Sequence, residues 1–156
     1  MIYFRDVSTA HLVIDTWEIN PSQCWAVIGR NGSGKKELGQ LLGGVLGDVR
    51  GEYQVFPSET RILSYESQQA FYEHELKIDD TDYLDHLDPG TIVSEILGLD
   101  QVPTELSFLK LQPLMDRGYR LLSSGESRKV LLAKLLLEKP RLLILDEPYD
   151  LSLIHI

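Results

Sequence analysis

The chain has 156 residues, 43% of them hydrophobic and 25% charged, which suits one domain with a real apolar core. A formal net charge of -9 argues against bulk attraction to nucleic acid or to an anionic membrane surface. The single cysteine, Cys24, excludes an internal disulfide and fits a cytoplasmic location; no run approaches the ~18 apolar residues of a membrane span, and the N-terminus has no signal-peptide core.

Residues 1–28 read as strands. "IYF", "HLVI" and "WEI" are rich in β-branched and aromatic residues, and "NPSQ" is a turn before the apolar run "CWAVI". Cys24 is expected inside that last strand, buried as a small hydrophobe. The run leads into "GRNGSGKK", Gly29 to Lys36, which nearly matches the phosphate-loop pattern G-x-x-x-x-G-K-[ST]. Glycines at 29, 32 and 34 let the backbone bend closely round a polyphosphate, with Asn31 and Ser33 between them. Backbone N–H groups and a helix N-terminus would then face the anion, and Lys35 would reach the β- and γ-phosphates. The position that ordinarily supplies a Mg²⁺-ligating hydroxyl holds a second lysine, Lys36.

A helix is expected from Gly34 to about Gly44, on the spacing of Leu38, Leu41 and Leu42. "EYQVF" and "RILSY" suggest two further short strands. Residues 66–105 are acidic, with Lys77 as their one Lys or Arg, and "DDTDYLDHLDPG" reads as an exposed loop without calcium-loop spacing. "TIVSEILGL" and "ELSFLKLQPLMD" have helical spacing. "SSGESRKVLLAKLLLEKP" predicts a helix that starts near Ser124 and stops before Pro140. "RLLILD" predicts a fully buried strand. It delivers Asp146 and Glu147 to a strand end, where Asp146 could hold Mg²⁺ and Glu147 could polarise water as a general base. Strands alternating with helices argue an α/β fold with a largely parallel core sheet.

The order phosphate loop, "LSSGE", "LILDEP" resembles an ATP-binding cassette (ABC) ATPase, a P-loop NTPase. That resemblance implies an N-terminal antiparallel β part and an inserted α-helical subdomain, about 69–125, within a domain covering 1–150. It also implies ATP and Mg²⁺ as cofactors. The signature motif, usually LSGGQ, is matched by Ser123, Ser124, Gly125 and Glu126, with departures at Ser124 and Glu126. By resemblance, Ser123 and Gly125 would contact the γ-phosphate held by a second cassette, fused or in trans. Gln68, with Gln69 as the alternative, would sense Mg²⁺ and the γ-phosphate. The family's adenine-stacking aromatic has no clear counterpart: Tyr3 and Phe4 lie near it, while Asp6 is closer to its spacing.

Within the family, "CWAVIGRNGSGK", "LLSSGESRKVLL" and "LLILDEPYD" look most like the ModF-type chains, which fuse two cassettes and are associated with molybdate transport. The implied partners are a second cassette and a membrane permease, with no nucleic acid. The implied place is the cytoplasm, peripheral at the inner membrane. A non-hydrolysing ATP-binding module, favoured by Lys36, and an ABC ATPase acting on ribosomes or another complex stand as alternatives. The last six residues, "LSLIHI", replace the Gly-Leu-Asp the family expects and match a translated sequencing-adapter sequence. Residues 151–156 therefore read as a non-native tail on a gene cut short.

Overall fold

The computed structural model describes residues 1–78 and 88–146, which form two bodies, 1–62 with 140–146 and 63–139. Residues 79–87 of the expected acidic loop 79–90, Glu147 and the tail lie outside the described residues.

The first body begins with a three-stranded antiparallel sheet in the order β2-β1-β3: β1 (Ile2–Ser8), β2 (Val13–Ile19) and β3 (Arg50–Gln54). Phe4 pairs across the ladder with Trp17 on one side and Tyr53 on the other, and its ring stacks on both, at 5.8 and 6.4 Å. Ile2, Phe4 and Val7 are all buried although strict alternation would bury residue 6. The register against β3 shifts between Arg5 and Ser8, and Asp6 takes a left-handed φ of 48°. This bulge inserts one residue, flips the phase and turns Val7 inward while Asp6 stays in water. It needs Gly51 opposite, where φ is 108° and any Cβ would collide with the Asp6 carbonyl.

Helix α1 (Lys35–Leu42) lays Leu38, Leu41 and Leu42 on the same core as Ile2, Phe4, Val7 and Ile19. Gly43 and Gly44 end it, as expected, through N–H bonds back to Gly39 and Leu41. Strand β4 (Thr60–Leu63) pairs with β5 (Leu142–Leu145), and Leu142 and Ile144 pack on that core. The pairing extends through Arg141, whose N–H donates to Glu59 at 2.8 Å and whose guanidinium covers Phe56 at 3.7 Å.

The second body carries α2 (Tyr65–Lys77), α3 (Val93–Leu97) and α4 (Ser124–Leu137), joined by 3₁₀ turns. Val93, Leu109, Leu111, Tyr119, Val130 and Ala133 are its most deeply buried side chains. Phe71 of α2 meets Tyr119 edge-on at 4.8 Å, and the Lys134 ammonium donates to the Ile96 carbonyl near the end of α3 at 3.2 Å.

Four sequence expectations are corrected. Residues 24–28 form no strand: no described strand lies beside them to share backbone bonds, and they are exposed. Cys24 is accordingly exposed. β5 is only half-buried, and Leu145 is exposed. The helical spacing of 105–116 resolves into two short 3₁₀ turns, because Lys110 takes φ 54° and Pro113 interrupts the chain.

Candidate nucleotide and signature sites

The glycine loop stands open to solvent in front of α1. Gly32 and Gly34 take left-handed φ values of 79° and 87°. A side chain at position 32 would meet nothing, so the loop is open on that face, whereas one at position 29 would collide with the Ser33 hydroxyl. Ser33 N–H donates to the Arg30 carbonyl at 3.1 Å and closes the turn; Asn31 is exposed at its tip. The Lys35 ammonium donates to the Gly29 and Arg30 carbonyls, at 2.8 and 2.9 Å, folding a positive charge over the loop. Helix α1 has glycine as its N-cap and no side-chain cap, whereas α2 and α4 are each closed by a complete capping box. Its start therefore keeps its dipole and first-turn amides for an outside anion.

These features fit a polyphosphate: amides at a helix start, an ammonium and an open glycine cradle. The fit to Mg²⁺ is thinner. Lys36, exposed in the first turn of α1, offers donors and no ligating oxygen. Asp146, half-buried just past β5, carries a carboxylate of the kind that could ligate Mg²⁺. Glu147 lies outside the described residues. Among the described residues there is no cluster of three His, Cys, Asp or Glu that could hold a metal.

In the second body Gln68 sits one turn into α2, whose N-cap is Ser64. Its amide nitrogen donates to the Ser124 carbonyl at 3.0 Å and to the Ser127 hydroxyl at 2.8 Å, tying α2 to the first turn of α4. Gln69 turns the other way and donates to Glu73 at 3.2 Å.

Ser123 caps α4, with Ser124, Gly125 and Glu126 as its first turn. One Glu126 oxygen, Oε2, accepts from both the Ser123 N–H and the Ser123 hydroxyl, at 2.8 Å each. The Glu126 N–H donates back to Ser123 Oγ at 3.3 Å. The other oxygen, Oε1, accepts from the Arg117 guanidinium at 3.0 Å, and the second Arg117 nitrogen donates to the Leu121 carbonyl at 2.7 Å. The Ser123 N–H and hydroxyl, then Arg117, hold the Glu126 carboxyl below the usual carboxylate range.

Behind this turn the Tyr119 hydroxyl is buried and has no geometrically sound hydrogen-bond partner among the described residues. Burial pushes it up to about 12, tempered by the nearby Ser127, whose own hydroxyl is given to the Ser124 carbonyl. The sequence pattern did not single out Arg117, Tyr119 or Ser127. Arg117 reaches Glu126 across nine residues of irregular chain, a distance no helical or strand period encodes.

The open glycine loop before a helix, the strand that ends in Asp146 and the capped "LSSGE" turn define a nucleotide-binding cassette. Residues 14–150 match the ABC transporter family model, and the chain belongs to that family. It is 37% identical over 155 residues to the ABC transporter ATP-binding protein ModF of Escherichia coli, covering 94% of this chain and 31% of that protein. It is 36% identical over 131 residues to the zinc import ATP-binding protein ZnuC of Psychrobacter cryohalolentis, covering 84% and 51%. The chain thus spans about a third to a half of these relatives. The fold matches a solved metal-chelate type ABC transporter in an inward-facing conformation, with a TM-score of 0.59 at 19% identity, over 98% of this chain and 64% of that one. No described helix is long and apolar enough to cross a membrane.

Proposed function

We propose that this chain binds MgATP through residues 29–36 and serves as one of two cassettes that close around two nucleotides and reopen on hydrolysis. The observation that carries this reading is the uncapped start of α1 beneath a lysine-covered glycine loop. Lys35 would exchange two loop carbonyls for the β- and γ-phosphates. In the first body the Asp146 carboxylate is suited to Mg²⁺, which when bound would neutralise phosphate charge. Glu147 would orient the attacking water, and Ser123 with Gly125 would serve the second cassette's nucleotide. Such chemistry is mostly positioning and charge stabilisation.

The likeness to ModF supports a role beside a membrane permease in molybdate-type transport, on the cytoplasmic face. Lys36 favours a second reading, in which this loop binds ATP but hydrolyses it slowly. Calorimetric ATP titration of the full-length gene product should show Lys35→Ala weakening affinity at least about tenfold, the loss of one charge-assisted contact. Equal affinity would remove the loop from the site.

A further inference from the structure

The donors of Ser123 are already spent inside the chain. Its N–H and its hydroxyl both point at Glu126 Oε2, at 2.8 Å, and Arg117 fixes the opposite carboxylate oxygen at 3.0 Å. Arg117 is itself anchored by the Leu121 carbonyl. A phosphate oxygen that came to Ser123 would find its proton committed and a carboxylate in its path.

We infer that Glu126 is a built-in anion that competes with the second cassette's γ-phosphate for Ser123, and that the Arg117 guanidinium tempers its charge; this rests on the reading of Ser123 given above. The charge, not the cap, is what opposes closure. Glutamine at 126 would keep a capping box, since its side-chain oxygen still accepts from the Ser123 N–H and hydroxyl. It would remove the full negative charge next to the arriving phosphate. Arg117 acts the other way, because its guanidinium offsets much of that charge. These are positioning residues that act through Ser123.

The test is an ATP titration of cassette closure in the full-length gene product, followed by energy transfer between one dye on each cassette, with melting curves as a check on folding. Glu126→Gln should lower the half-saturating ATP concentration about fivefold, the size of one exposed charge contact. Arg117→Met, which leaves the carboxylate uncompensated, should raise it. Ser123→Ala should impair closure alone and in combination with Glu126→Gln. An unchanged or raised half-saturating concentration in folded Glu126→Gln, or a lowered one in Arg117→Met, overturns the inference. If Ser123→Ala also leaves closure intact, Ser123 does not face the second nucleotide, and the underlying reading fails with it.

Discussion

Lys36 decides what kind of phosphate site the loop can be. An ammonium donates hydrogen bonds to phosphate but cannot ligate a cation. It also sets a second positive charge beside Lys35, one position along the same helix start. At ~4 Å two like charges cost about 1 kcal/mol in water, which repels Mg²⁺ while still attracting ATP. ATP binding should therefore depend only weakly on Mg²⁺, and hydrolysis at this loop should be slow. In the full-length protein, with the second site disabled, Lys36→Thr should raise Mg²⁺-dependent turnover about tenfold or more, read by phosphate release. Brisk turnover that is the same with lysine and threonine would sink this account. The loop was legible in the sequence because its chemistry lies within eight consecutive residues. The Arg117–Glu126 pair was not, because it forms only once the turn before α4 has folded.

Among the helices, what differs is how each one begins. Helices α2 and α4 start at serines that exchange bonds with the third helical residue, while α1 starts at Gly34. The sequence announced the end of α1 through Gly43-Gly44 and the start of α4 through Ser123 and Ser124, since caps are local. It misplaced the segment 24–28, because a strand exists only with a neighbour, and apolar content cannot say whether one is there. The α4 cap carries a pH signature. Glu126 is held below its ordinary value, so its contribution to folding is complete above the ordinary carboxylate range near ~4 and is lost as pH falls through the depressed one. The group is part-exposed and screened, so the effect is small. Acid titration by circular dichroism should show wild type losing helix more steeply below pH ~4 than Glu126→Gln, which has no proton to take up. Superimposable profiles would mean that the cap is not coupled to stability. Ser123→Ala should cost about 1 kcal/mol in urea melts, the usual loss for a serine cap.

For the whole molecule, solubility turns on two opposed features. Charge of -9 keeps chains apart, but only over the ~8–10 Å of a physiological Debye length. Against it stand Trp25, Val27 and Ile28, which are 53, 50 and 89% exposed on a stretch that joins no strand among the described residues. Such a stretch is a template for pairing with another chain, and contact attraction of this kind survives salt while charge repulsion does not. Residues 1–156 expressed alone should therefore stay dispersed at low ionic strength and self-associate as salt is raised, with association growing with concentration. Sedimentation velocity at ~20 mM and ~500 mM salt would show this. Ile28→Lys adds a charge at the most exposed apolar position, where nothing is packed and little folding energy is at stake. It should suppress the high-salt association without lowering the melting temperature. A monomer at both salts that melts cooperatively would show instead that this run is covered in solution. If wild type associates and Ile28→Lys associates equally, the contact lies elsewhere, and the exposed edge of β5 near Leu145 becomes the next position to charge.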